Sequence, residues 1–408
     1  MIISPVGQPV AGRPELRAAS AASPDGVQLS PEATRALLEP GQPTVTPAWS
    51  YPHQTNLIGG SVLSQDGTRL FQSGYDRLFC LDTIKGGCLW EFPARPSSAA
   101  VVGPTGLVYV TADGKLHALD PITGKPTWSV EVPGGGAGTR PGPEGELLVT
   151  AGAGTVALHP SDGTIMWTSP ISGPEVAVGK DGRMFAAGDG LKCVVGYDRD
   201  SGAEIWRKMH GHCRHRPAVG PDGTVYLGNV AGVFMALDPA TGDIKWSYDT
   251  GSHILESPTV APDGTVYAGN LAGKLFAFDP VKRGKKWEAE VGAEVRQPPG
   301  IGGDGTVLLA SDRNVVLGFE PEHGGKLWSE PAASYVHCTP VSDRHGQVYF
   351  GANNATLYSL KTPALRLQLD DLARLPASHD APGLGYSHGR LIVGQSALPL
   401  RSPDNRPT

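Results

Sequence analysis

Residues Asp222 to Tyr248 read DGTVYLGNVAGVFMALDPATGDIKWSY, and the next unit, Asp263 to Ala289, reads DGTVYAGNLAGKLFAFDPVKRGKKWEA. Each unit begins at an Asp-Gly-Thr turn, continues through two apolar segments around a Gly/Asn turn, and ends at a tryptophan after a second turn. Six further copies begin at Asp66, Thr105, Glu144, Asp181, Asp304 and His345. Because a self-similar period of about 40 residues marks a repeat architecture, this period decides the fold.

The tryptophans follow the same period. All eight belong to one ladder with intervals of 38 to 41 residues, and they are Trp49, Trp90, Trp128, Trp167, Trp206, Trp246, Trp287 and Trp328. A large side chain at one fixed place in every unit is typical of packing between repeats.

Each unit predicts four short strands. In the fifth copy they cover about 217–220, 224–228, 233–238 and 244–248, which are rich in Val, Tyr, Leu and Phe. Gly-Asn, Asp-Gly and Thr-Gly between them supply the conformations that hairpin turns need. Four-stranded units of this length predict an all-β fold, a β-propeller that forms one domain.

The repeat count predicts eight blades. The strand Ala48 to Tyr51, which carries Trp49, precedes the first full unit and is expected to complete the last blade and close the ring. A fragment from Gly383 to Ser396 resembles the start of another unit, either an extra strand pair or part of a ninth blade. Seven or nine blades therefore stay open as alternatives.

The flanks of the repeats differ in composition. Residues 1–47 are rich in Pro, Ala, Ser and Gly and predict a disordered tail, with a short helix at 31–39 that Ser30 would cap. An isolated helix of this length is marginal in water, so it would need a surface to fold on. The propeller is expected over residues 48–396 and a C-terminal tail over 397–408.

Composition excludes several classes of protein. The chain has 408 residues, a net charge of −6 and 18% charged residues, which predicts no nucleic-acid partner. We find no apolar run long enough to span a bilayer, and five cysteines do not make a disulfide framework. The first twenty residues lack the features of a secretory signal, which predicts a cytoplasmic location. We expect the propeller to be monomeric.

Two segments carry a family resemblance. Ala236 to Trp246 (ALDPATGDIKW) and Ala118 to Trp128 (ALDPITGKPTW) resemble the motif A-x-D-x-x-T-G-x-x-x-W of pyrroloquinoline-quinone-type propeller repeats. That family includes quinoprotein dehydrogenases and a non-catalytic outer-membrane assembly lipoprotein, and its members are often periplasmic. The resemblance implies a structural docking role for Trp90, Trp128, Trp167, Trp206, Trp246, Trp287 and Trp328.

The resemblance also implies what a catalytic member would need. In the dehydrogenases a tryptophan floor, a Ca²⁺ ion and a general-base Asp serve the quinone, and an adjacent pair of cysteines covers it. This sequence has no adjacent cysteine pair, and the ladder uses every tryptophan. We therefore expect no quinone cofactor and assign no catalytic residue, although an enzyme stays open as an alternative.

One segment breaks the repeat. Residues 210–216 (HGHCRHR) connect the fourth predicted blade to the fifth, where such connections open at one mouth of the channel. Local departures from a pattern tend to mark function. Aligned on the prolines that follow, the same connections predict a channel-mouth site made of His210, His212, Cys213, Arg214, His215, Arg216, His253, Glu256, Arg296, His337 and Cys338.

Three interpretations of this mouth stay open. The residues are solvated loop side chains, or His212, His215 and His253 hold a transition metal such as zinc or copper, or the arginines bind a peptide or small anion. We expect a non-catalytic scaffold that binds a protein or peptide through the mouth and the N-terminal tail. The alternatives are a metal- or quinone-dependent oxidoreductase and an envelope protein-assembly factor.

Overall fold

The structure, a computed structural model, describes residues 45–52, 57–132, 136–171, 176–187, 192–336, 338–362, 384–387 and 390–393. Every regular element within these ranges is a β-strand. The part of the chain so described contains no helix long and apolar enough to cross a membrane. The helix predicted at 31–39 and the tail predicted at 397–408 lie outside the described residues.

The strands form eight antiparallel sheets of four, and the first strand of the chain, β1, covers Thr46–Pro52. Blades 1 and 2 contain β2 (Leu57–Leu63), β3 (Arg69–Gly74), β4 (Arg77–Asp82) and β5 (Cys88–Pro93), then β6 (Val101–Val102), β7 (Val108–Ala112), β8 (Lys115–Leu119) and β9 (Pro126–Glu131). Blades 3 and 4 contain β10 (Gly136–Pro141), β11 (Leu147–Ala151), β12 (Gly154–Leu158) and β13 (Ile165–Ser169), then β14 (Val176–Val178), β15 (Arg183–Ala186), β16 (Val194–Asp198) and β17 (Glu204–Lys208).

The second half of the ring repeats this order. Blades 5 and 6 contain β18 (Ala218–Val219), β19 (Val225–Gly228), β20 (Val233–Leu237) and β21 (Ile244–Asp249), then β22 (Thr259–Val260), β23 (Val266–Gly269), β24 (Lys274–Asp279) and β25 (Gly284–Glu290). Blades 7 and 8 contain β26 (Gly300–Ile301), β27 (Val307–Ser311), β28 (Val315–Phe319) and β29 (Lys326–Pro331), then β30 (Val341–Ser342), β31 (Val348–Ala352), β32 (Thr356–Lys361) and β1.

The N-terminal strand closes the ring, as predicted. Strand β1 pairs antiparallel with β32, so that Trp49 lies opposite Ser359, and the order in blade 8 is β30, β31, β32, β1. Strands β33 (Leu384–Ser387) and β34 (Arg390–Val393) pair with each other in a separate two-stranded sheet. Eight blades are confirmed, and in the described chain this strand pair does not join a ninth four-stranded blade.

The hydrophobic core lies between neighbouring blades, where the predicted tryptophan ladder docks. The tryptophan of each outer strand packs toward the next blade, and in blades 1 to 5 and 7 the turn between the third and fourth strands receives it. The Trp206 indole nitrogen donates to the Pro239 carbonyl at 3.0 Å, and the ring leaves no room for a Cβ at Gly242. Trp49 repeats this contact at the closure, donating to the Thr83 carbonyl at 2.8 Å.

Among the seven continuous docking turns, two depart from the pattern. In blade 6, Arg283 stands where the other six have glycine and adopts a φ of 57°. In blade 4, the Arg199 guanidinium lies 4.8 Å from the centre of the Trp167 ring, while Pro170 packs against Gly202. The ladder therefore continues around the ring even where the turn sequence changes.

Candidate functional site

The candidate site is built on the connections that run from the outer strand of one blade to the inner strand of the next. Each connection lies against the turn between the second and third strands of the blade it enters. Val230 N donates to the His212 carbonyl and Leu271 N to the His253 carbonyl, both at 2.9 Å. We call the surface formed by the connections at 209–217, 250–258, 291–299 and 332–340, with the turns beneath them, the loop face.

Two asparagines hold the loop face in place. The buried Asn229 side chain donates to the His210 carbonyl at 2.9 Å and accepts from Val233 N at 2.9 Å, tying the connection to the turn. Asn270 does the same one blade later, donating to the Thr250 carbonyl at 3.0 Å. From the sequence, these asparagines are predicted only as turn residues. Their repetition after glycine in both units was the signal for this second role.

The structure brings together one predicted pair from adjacent blades. His215 Nε2 lies 3.8 Å from Glu256 Oε1. This contact connects the loop that leads into blade 5 with the loop that leads into blade 6. Both side chains are partly buried. The two residues occupy one aligned position, two residues before a proline in each repeat.

Arg296 lies in an acidic setting. Its guanidinium is 2.7 Å from Glu294 and 2.8 Å from Asp312, and the hydrogen bond to Glu294 raises its pKa. The Tyr335 hydroxyl donates to Asp312 at 3.2 Å, and burial raises the pKa of that hydroxyl. Asp312 was not predicted, because it lies in a turn outside the aligned connections. Tyr335 was also missed, although it stands five residues before Pro340, where His212 and His253 stand before their prolines, and that alignment was the signal that could have found it.

The two predicted thiols are in the core. Cys213 is 1% exposed and belongs to the cluster around Trp206 and Met235, and burial raises the pKa of its thiol to about 12. Cys338 is 4% exposed, its thiol donates to the Gly351 carbonyl at 3.5 Å, and burial raises its pKa too. Neither thiol is presented at the loop face.

Two of the predicted histidines bond backbone carbonyl groups in different places. His210 Nε2 lies 2.8 Å from the Gly242 carbonyl, and His253 Nδ1 bonds the Val230 carbonyl. Arg214 is exposed and Arg216 is half-buried. His337 lies outside the described residues.

The described part of the chain does not fit a metal or a quinone. Among the residues that the structure describes, no three side chains of His, Cys, Asp or Glu are grouped to hold a metal ion, so His212, His215 and His253 do not assemble as a site. All eight tryptophans belong to outer strands and pack between blades. An indole in that place cannot form a stacking floor in the central channel.

The comparisons with known proteins agree with this architecture. The pattern of a family described as "Outer membrane protein assembly factor BamB" matches residues 41–178 and 191–362. A BamB from Nitrosomonas eutropha is 28% identical over 171 residues, which are 39% of this chain and 41% of the relative. The matched part thus spans less than half the length of that curated relative.

Solved structures share the fold at low identity. BamB from Moraxella catarrhalis matches with a TM-score of 0.56 at 15% identity, over 78% of this chain and 100% of that one. The C-terminal WD40 domain of Sif2 matches with a TM-score of 0.64 at 11% identity, over 79% and 99%. A quinohemoprotein alcohol dehydrogenase from Pseudomonas putida HK5 matches with a TM-score of 0.53 at 16% identity, over 78% and 76%.

The family match decides two open points. It supports the resemblance to pyrroloquinoline-quinone-type repeats that the docking motifs carry. It also contradicts the predicted cytoplasmic location, since the matched family is named for the assembly of outer membrane proteins. That prediction, made from the first residues of the chain, is wrong. Because the match covers more than half of the sequence, the chain belongs to the outer membrane protein assembly factor BamB family.

Proposed function

We propose that this chain is a non-catalytic scaffold of the cell envelope that binds a protein partner during the assembly of outer membrane proteins. The family match over residues 41–178 and 191–362 carries the proposal. The docking of all eight tryptophans between blades supports the absence of a quinone-dependent reaction, since an enzyme of that kind would need an indole at the channel.

The loop face is the proposed contact surface. Hydrogen bonds from Asn229 and Asn270 to the connections hold its backbone in one arrangement, which lowers the entropy lost on binding. Arg214 and Arg216 flank His215 in the sequence, and His215 lies 3.8 Å from Glu256. Arg296 lies beside Glu294 and Asp312. A surface with both signs of charge fits a polar protein segment better than a small anion, which would meet the carboxylates as well as the arginines.

The test is capture of partners from a detergent-solubilised envelope extract. We expect the full chain to retain components of the outer membrane assembly machinery. The double variant Arg214→Glu/Arg216→Glu should retain at least tenfold less of these components, because the reversed charges repel the partner surface that the arginines attract.

A matched control reverses two charges elsewhere on the ring. Lys85→Glu/Lys125→Glu lies in the docking turns of blades 1 and 2, where both lysines are exposed, and should capture as the wild type does. Capture of no assembly component by the wild type would overturn the scaffold proposal. An equal loss of capture in both double variants would show that the loop face is not the contact surface.

A further inference from the structure

The docking turn of blade 8 is split, unlike the other seven. In those blades the third and fourth strands are joined by a continuous turn, whereas in blade 8 the chain leaves at Thr362 and re-enters at Val45. Thr46 lies opposite Lys361, so both flanking segments meet the ring at one place. Val45 is fully buried and stands four residues before Trp49, the spacing at which six other blades have glycine.

A cross-blade pair of aromatic side chains fills the space beside three of the docked tryptophans. The residue two positions after the tryptophan meets the third strand of the next blade. Tyr51 and Phe79 form such a pair at 6.2 Å between ring centroids, Phe92 and His117 at 5.2 Å, and Tyr248 and Phe276 at 6.1 Å.

Between blades 7 and 8 this space is a cleft. Here the residue two positions after the tryptophan is Glu330. The cavity beside Glu330 measures about 210 Å³. Its walls are mostly apolar, and they include Trp49, Pro331, Ala332, Phe350, Tyr358 and Leu360. The volume is below the ~300 Å³ at which small-molecule pockets begin, so it suits one or two side chains of a protein segment.

A segment of the chain with apolar side chains precedes the strand that lines this cleft. Five residues, 40–44, separate the helix predicted at 31–39 from the buried Val45. Fully extended they span about 17 Å, which is the length of strand from Val45 to Ser50 along the cleft. The helix can therefore fold back over the strand that follows it.

Charge complementarity selects one face of that helix. At helical spacing Arg35 and Leu38 share a face, and Leu37 adjoins it. Glu330 is only 3% exposed at the rim of the apolar cleft. We propose that residues 31–39 dock as a helix in the cleft between blades 7 and 8, with Leu38 in the cavity and Arg35 toward Glu330.

The proposal goes beyond the scaffold function, because it gives the N-terminal tail an intramolecular site at the point of ring closure. A helix too short to be stable alone gains stability by burying its apolar face. Its attachment through five residues gives it an effective concentration in the millimolar range, which an outside peptide must exceed.

The test uses a fluorescein-labelled peptide of residues 29–41 and full-length protein, with binding followed by fluorescence anisotropy. In the variant Leu37→Asp/Leu38→Asp the protein's own segment no longer fills the cleft, and the labelled peptide should bind at least tenfold more tightly than it binds the wild type. An Arg35→Glu peptide should bind the same variant about tenfold more weakly.

Controls separate this cleft from others. Adding Ser50→Trp, an exposed residue of the cleft wall, should abolish peptide binding, whereas Glu131→Trp at the corresponding space between blades 2 and 3 should leave it unchanged. Equal binding to wild type and variant, binding to neither, or insensitivity to Ser50→Trp would overturn the proposal. So would tighter binding of a peptide of residues 363–377, the other segment that meets the ring here.

Discussion

At the scale of single residues, Cys213 shows how a repeat position outweighs a local pattern. Its neighbours in HGHCRHR suggest a polar site, yet Cys213 aligns with Ile254, Val295 and Val336, four residues before the aligned prolines. All four side chains are at most 1% exposed. The repeat position therefore determines that this side chain packs in the core, and the thiol stays protonated there because burial raises its pKa to about 12.

Replacement of Cys213 tests this assignment. Cys213→Val, which copies the later repeats, should change the free energy of unfolding by less than about 1.5 kcal/mol. Cys213→Ser should cost about 1–3 kcal/mol, because it buries a hydroxyl group. Denaturant unfolding measures both values. Loss of partner capture by a folded Cys213→Val protein would show instead that the thiol contacts the partner.

At the scale of elements, the docking turn shows how one carboxylate closes the turn on which a tryptophan packs. In blade 2 the Asp120 carboxylate accepts from Thr123 N at 2.7 Å and from Ile122 N at 3.0 Å, which closes the turn on which Trp90 docks. The Trp90 indole donates to the Pro121 carbonyl of the same turn at 3.1 Å. The backbone hydrogen bond from Thr123 holds the pKa of Asp120 below its usual value.

This turn should make stability depend on acidity. Because the folded pKa of Asp120 is lowered, its contribution is complete above the unfolded value of about 3.9 and is lost as pH falls through the folded value. Asp120→Ala should cost about 0.5–1 kcal/mol at pH 7, with the difference from wild type shrinking below pH 4. Thermal melts between pH 2 and 7 measure this, with exposed Lys125→Ala as a control. A difference that stays constant with pH would contradict the role of the carboxylate.

At the scale of the whole molecule, ring closure depends on a non-covalent contact. Blades 1 to 7 are each one continuous stretch of chain, but blade 8 is completed by β1 from the other end of the sequence. Trp49 fastens this strand to the docking turn of blade 1 through Thr83 and Gly86. Trp49 thus links the last blade to the first together with the Gln347 side chain of blade 8, which donates to the same Thr83 carbonyl at 3.0 Å.

Removal of Trp49 should loosen the closure. Trp49→Ala is expected to lower the free energy of unfolding by about 3 kcal/mol or more, and to raise amide hydrogen exchange in both blade 8 and blade 1. Trp90→Ala removes the same kind of contact between blades that the chain joins covalently, and its exchange effect should stay near blades 1 and 2. Equal and purely local effects of the two variants would argue against closure by Trp49.

The fold, the blade count and the tryptophan ladder could all be predicted from the amino-acid sequence, because they depend on a short-range pattern that is repeated eight times. The roles of individual loop residues were decided only by tertiary structure. Whether His215 meets Glu256, whether Arg296 meets Asp312, and whether Cys338 faces the core depend on how neighbouring blades are placed. The split turn and the cleft beside Glu330 likewise exist only after the two ends of the repeat array come together, since contacts between distant parts of the chain leave no periodic signal in the sequence.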